Sequence, residues 1–171
     1  MVLECYSSFF TQTLEHTNTD TMVALIQRVA EASVEVDGEI TGVIGKGLLI
    51  LLGVHRDDTG REIDWLARKC ANLRIFPDEA GLMNRSVMDV GGEALVVSQF
   101  TLYGNAAKGN RPSFIDAARP EKAEAFYQQF VEALSTQMGK PAATGVFGAM
   151  MAVRLTNDGP VTLWVERGPG P

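Results

Sequence analysis

Cysteine is nearly absent from this 171-residue chain, with only Cys5 and Cys70 present. They stand far apart in unlike surroundings, so they make neither a disulfide framework nor a zinc site, and a reducing, cytoplasmic compartment is expected. Histidine is equally scarce: His16 falls among the first 21 residues, which leaves His55 as the only histidine of the body. The chain has no HExxH, no clustered His, Cys and Asp, and no paired-carboxylate pattern. No metal, no cofactor and no glycosidase pair is therefore expected. Basic residues number 15 against 21 acidic ones, a net charge of −6. That balance argues against a protein that coats long nucleic-acid backbones, but not against one that grips the end of an RNA. No run of about 18 apolar residues occurs, so no membrane span is expected.

Hydrophobic residues make up 46% of the chain. A body of about 150 residues can bury roughly 68–70% of its unfolded surface, enough for one domain without staples. Residues 1–21 (MVLECYSSFFTQTLEHTNTDT) have no helical or strand period and no Lys or Arg; removing their three acids leaves a charge of −3. They lack the basic start and long apolar centre of a secretory signal and the arginines of a mitochondrial one. The segment reads as a disordered extension, with Met22 a candidate natural start. Residues 22–166 read as a single domain and 167–171 as a loose tail.

Strand signals begin at Met22–Val29 and Ala32–Val36, and Asp37-Gly38 marks a tight turn into Glu39–Ile44. Gly45-Lys46-Gly47 turns into the apolar run Leu48–Val54. A phosphate loop does not fit, because Lys46 is followed by Gly and no Gly stands five residues before it. Thr59 and Glu62 form a capping box for a helix with Ile63, Leu66, Ala67, Cys70 and Leu73 on one face. In that stripe Cys70 is a small core residue rather than a nucleophile. Short strands follow at Arg74–Phe76 and Leu82–Val87. A second helix starts at Pro120, points Ala123, Phe126, Tyr127, Phe130, Leu134 and Met138 inward, and ends at Gly139. Two final strands, Ala149–Leu155 and Val161–Val165, are joined by Thr156–Pro160. About seven strands and two long helices give an α+β pattern, with mostly antiparallel or mixed sheets forming a barrel-like core.

Two stretches stand out. Glu93–Tyr103 (EALVVSQFTLY) opens as a strand buried on both faces, then turns polar at Ser98, Gln99 and Thr101. Polar groups at the end of a core strand are costly unless hydrogen-bonded or used. They either tie down the adjoining loop or serve a site, and the glycine-rich loop after them carries Lys108 and Arg111. Asn157–Thr162 (NDGPVT) is either a plain hairpin turn or a Gly-Pro turn in the cis form. The cis form would offer two main-chain carbonyls and no side chain at Gly159.

Ser98–Tyr103 and Asn157–Thr162 together resemble the two signature motifs of the D-aminoacyl-tRNA deacylases. The similarity extends from Met22–Val29 through Arg111–Phe114 (RPSF) to Glu166. The resemblance implies hydrolysis of the ester joining a D-amino acid to the terminal ribose of tRNA. Achiral glycine, including glycine mischarged on the alanine tRNA, would be a second substrate, and L-amino acids would be rejected by shape. It also implies a homodimer in which the Gly159-Pro160 turn of each subunit enters its partner's pocket. By the same resemblance, Ser98, Gln99 and the main chain of Phe100 and Thr101 face the ester carbonyl and terminal adenosine. Arg28, Phe147 and Met151 match positions around the turn and the adenosine pocket, with ordinary core packing the other reading of these positions. Thr101 is the family's candidate nucleophile, yet the sequence offers it no evident base. A water assisted by the ribose 2′-hydroxyl is the alternative, with Thr101 positioning. Lys108, Arg111 and Lys122 are the candidate phosphate contacts.

Two other functions fit the residues. One is a Ser/Thr esterase on small molecules, using Ser98 or Thr101 with His55 as base. The other is a dimeric binding module whose Gly159-Pro160 turn serves only assembly.

Overall fold

The computed structural model describes residues 21–167. Of the expected extension only Thr21 is included, and of the tail only Arg167; the rest of both lies outside the described residues. Strand β1 runs without a break over Val23–Val36, where two strands were expected. Asp37 and Gly38, both at positive φ (51° and 85°), turn it into β2, Glu39–Ile44. β3 follows at Gly47–Gly53, helix α1 at Arg61–Asn72, and a small antiparallel pair at β4, Phe76–Pro77, and β5, Met83–Arg85. β6 is Glu93–Ser98, α2 is Pro120–Met138, β7 is Ala143–Thr144 and β8 is Ala152–Glu166.

The main sheet is mixed. β1 pairs antiparallel with β2, β3 and β8, while β3–β6 and β6–β7 are parallel, in the order β2-β1-β3-β6-β7 with β8 on β1. The sheet nearly closes into a barrel because β7 comes back against β2. At the closure a Cβ on Gly42 would lie 2.4 Å from the Thr144 carbonyl oxygen, so glycine is what lets the two strands meet.

Alternation along the inner strands explains their continuous hydrophobicity. Leu48, Ile50, Leu52, Ala94 and Val96 join the core under the helices, with Leu66, Phe130 and Leu134. Leu49, Leu95 and Val97 point the other way, to a second cluster with Val29, Val34 and Ile44. Residues two apart share a face, so a strand buried on both faces needs no polar alternation. Cys70 is fully buried, and burial pushes its thiol up to about 12, which suits a core residue. At the capping box Glu62 accepts a bond from the Thr59 amide at 3.1 Å, but the Thr59 hydroxyl donates to the Glu62 carboxylate instead of capping the helix. The helix starts from Gly60. No helix among the described residues is long and apolar enough to cross a membrane.

One buried acid ties the chain's entry to the sheet. Asp58 accepts from the Met22 amide at 2.8 Å and from the His55 amide at 2.7 Å. Burial pushes its carboxyl from 3.8 up to about 6 against the pull of those two amides, with Glu62 nearby adding to the rise. A raised folded-state value means that the protonated form stabilises the fold. This contribution is full below the unfolded value near 3.8 and lost as pH rises through about 6. Lowering pH from 7 to 5 should therefore stabilise the protein by about 1 kcal/mol relative to an Asp58→Asn variant. Denaturant unfolding of both proteins at the two pH values checks this. An equal pH response in both would contradict it.

Candidate active site

β6 ends at Ser98, in register with Leu52 of β3. The Gln99 amide makes one further bond to the Leu52 carbonyl, at 2.7 Å. The chain then leaves the sheet as a 3-10 helix over Phe100–Tyr103, where a continuing strand end was expected. Tyr103 accounts for the departure. Its ring packs against the end of β3, where a Cβ on Gly53 would be 2.9 Å away, and its hydroxyl donates to the Thr21 carbonyl at 2.8 Å. Burial, aided by the charges of Asp58 and Glu166, holds its phenol well above the usual tyrosine range. Anchored by that ring, the helix presents Phe100 and Thr101 to solvent, with Ser98 and Gln99 half-buried beside them. The first bond inside the helix runs from the Leu102 amide to the Gln99 carbonyl, at 3.3 Å. The amides of Phe100 and Thr101 precede it, at the exposed start of the turn.

The Thr101 hydroxyl accepts a hydrogen bond from the Gln99 side-chain amide, a group that cannot take its proton. His55 is engaged elsewhere. It is fully buried, its ring is 5.4 Å from that of Tyr103, and its Nδ1 accepts from the Asp57 amide at 3.1 Å. Its contacts are those of a buttress behind the 3-10 helix.

The second motif departs from a hairpin. The expected final strands merge into β8, the first starting at Ala152 rather than Ala149, and pair with β1 in the same sense. Asp158–Val161 bulge out between the Val29–Asn157 and Gln27–Thr162 pairs. The Gly159-Pro160 bond in this bulge is cis. Asn157 bridges the gap that the bulge leaves in the ladder: its amide donates to the Val161 carbonyl at 3.1 Å and accepts from the Val161 N–H at 3.0 Å. Arg28 lies under the bulge, 8% exposed. Its Nε donates to the Asp158 carbonyl at 2.8 Å and lies 3.2 Å from the Asp158 carboxylate, while its Nη1 donates to the Ile75 carbonyl at 2.5 Å. Gly159 and Pro160 themselves are exposed.

The two motifs sit far apart within one chain. Arg28, beneath the turn, pairs with Leu48 on β3, whereas Ser98 pairs with Leu52. Four residues along the strands and the three steps β8–β1–β3–β6 across them are each about 13–14 Å. Phe147 packs 5.8 Å from the Tyr127 ring, against the core under the helices. Met151 packs on the second cluster, its sulfur close over Gly145. Lys108 and Arg111 are exposed near the tip of a loop whose ends are tied by Asn105 and Ser113, two backbone bonds of 2.8 Å. Lys122 is occupied within the chain, donating to the Arg56 carbonyl at 2.6 Å and lying over the Phe126 ring. Sequence reasoning did not find the Asn157 bridge or the Ile75 carbonyl. The first was legible as an Asn two residues before Gly159, while no sequence signal marks a carbonyl.

Among the described residues no group of His, Cys, Asp and Glu could hold a metal ion. Comparison with known proteins gives a consistent match. A family model described as D-Tyr-tRNA(Tyr) deacylase covers residues 25–166. A protein named D-aminoacyl-tRNA deacylase from Salinibacter ruber is 62% identical over 146 residues, 85% of this chain and 97% of its own length. One of the same name from Opitutus terrae is 60% identical over 145 residues, with the same shares covered. Among solved structures, the c-Myc DNA Unwinding Element Binding Protein superposes with a TM-score of 0.81 at 45% identity, covering 86% of this chain and 99% of its own.

Proposed function

The chain belongs to the D-Tyr-tRNA(Tyr) deacylase family, and from that premise we propose how its two exposed motifs hydrolyse the ester between a D-amino acid and the terminal ribose of tRNA. The observation that carries the reading is the Gly159-Pro160 turn, held from below by Arg28 and spanned by Asn157. Its main-chain carbonyls take the substrate's amino group. The rigid backbone then leaves room for hydrogen on the face where an L side chain would project, so discrimination is by exclusion. Glycine, which has no side chain, fits the same wall.

The other half of the pocket is the end of β6. The amides of Phe100 and Thr101 receive the oxygen of the tetrahedral intermediate, each donor contributing about 3–4 kcal/mol. Water adds to the ester carbonyl, its proton passes by way of the ribose 2′-hydroxyl to the 3′-oxygen, and the C–O bond to the ribose breaks. D-amino acid and tRNA are released. Ser98 and Gln99 orient the terminal adenosine and the Thr101 hydroxyl, with Phe147 and Met151 bounding the adenosine side.

A second copy of the chain supplies the turn to this pocket. Two observations support a homodimer: the wide separation of the motifs in one chain, and the surface of β8. That strand has 15 residues, one of them buried, with Leu155 and Trp164 38% and 46% exposed. Such an edge strand is one that a partner covers. Residues 22–166 make one deacylase domain, acting in the cytoplasm, where charged tRNA is used.

Release of D-tyrosine from D-tyrosyl-tRNA by the full chain tests this function. If D-tyrosyl-tRNA stays intact while small esters are cleaved in a His55-dependent way, the chain is a different enzyme. Thr101→Ala separates the two roles of that hydroxyl. With water as nucleophile it lowers kcat by about tenfold to a hundredfold, a positioning effect. A loss of several thousandfold would make Thr101 the nucleophile.

A further inference from the structure

Beside the proposed site lies an exposed aromatic surface. Phe100 is 57% exposed at the start of the 3-10 helix, and Ile115 is 72% exposed. The Phe100 ring meets Phe114 edge to face, with centroids 5.2 Å apart at 72°. Phe114 is itself seated on Gly104, where a Cβ would lie 2.9 Å from its ring. The loop that carries Lys108 and Arg111 is pinned next to this pair by the bonds between Asn105 and Ser113. Residues 104–119 hold Lys108, Arg111 and Arg119 against the single acid Asp116, in a chain of net charge −6. Asp116 is matched by Arg56 at 3.3 Å.

An exposed ring braced by a second ring, a basic loop beside it and a reaction site at its own main chain are the features of a single-strand RNA platform. Every base has a π-face, and the phosphate beside it seeks the cation. We infer that Phe100, braced by Phe114, stacks the nucleobase that precedes the terminal adenosine of the substrate, with Lys108 and Arg111 along its phosphates. The inference rests on the proposed deacylase reading and adds a second subsite to it. The main chain of Phe100 serves the reacting ester and its side chain grips the next nucleotide, so chemistry and strand alignment share one residue.

The test compares D-tyrosyl esters of the trinucleotide CCA and of adenosine alone, for the full chain and for Phe100→Leu and Phe100→Trp. Stacking on one base predicts that the wild type prefers the trinucleotide ester in kcat/KM by about tenfold, chiefly through KM. Phe100→Leu should remove most of that preference and Phe100→Trp, which keeps a stacking face, should retain it. Equal losses on both esters, absence of the preference in wild type, or loss of the preference in Phe100→Trp overturns the platform. A change in particle mass on Phe100→Leu also overturns it, because the ring would then be covered by the partner subunit. If wild type cleaves neither ester nor D-tyrosyl-tRNA, the deacylase reading itself fails, a result distinct from all of these.

Discussion

Gly159→Ala lowers kcat/KM for D-tyrosyl-tRNA by at least about a hundredfold, the loss expected when a binding wall moves by about 1 Å. The residue has φ 149°, where an L side chain is strained, and an added Cβ would lie 2.7 Å from both the Val161 amide nitrogen and its Cγ2. Neither can yield cheaply. Val161 is 7% exposed, and its amide is held at 3.0 Å by the Asn157 side chain. Arg28 blocks the remaining direction, with Nη2 at 3.2 Å from the added carbon. The turn must therefore shift as a unit, carrying its carbonyls away from the substrate's amino group. Steady-state kinetics with circular dichroism on the same sample checks this. A folded variant with near-normal activity would show that the turn does not bound the pocket.

Arg28→Lys is the second large effect. The guanidinium holds three acceptors from two directions: the Asp158 carbonyl, the Asp158 carboxylate and the Ile75 carbonyl. A lysine ammonium is a point charge on a flexible stem and cannot reproduce that fork. Ile75 is 7% exposed, so losing its donor leaves a carbonyl that water reaches poorly. The cost is about 2 kcal/mol of stability, or roughly 4–8 °C in Tm. Activity falls further than stability alone explains, by about tenfold to a hundredfold at a temperature where the variant is fully folded. A variant with lowered Tm but unchanged kcat/KM would make Arg28 a structural residue only.

Much of the architecture could be read from the sequence, because it follows from local chemistry. The apolar runs at Leu48–Val54 and Leu95–Val97, the turn at Asp37-Gly38, Pro120 opening α2 and Gly139 closing it each announce themselves. The α+β barrel-like sheet with two helices follows from their order. What could not be read depends on partners remote in sequence. Val23–Val36 remains one strand because three others pair along it. The Asp158–Val161 segment bulges instead of reversing because β1 continues past it on both sides and Arg28 fills the space below. Ser98–Tyr103 leaves the sheet early because Gly53, 50 residues before Tyr103, makes a seat for that ring.

The sharpest test of the account is the ratio of kcat/KM for D-tyrosyl-tRNA to that for L-tyrosyl-tRNA, measured on the full chain. A main-chain wall that admits hydrogen and excludes a side chain predicts a ratio of at least about a hundredfold, with L-tyrosyl-tRNA hydrolysed near its uncatalysed rate. Comparable hydrolysis of the two would contradict it, whatever the activity of either.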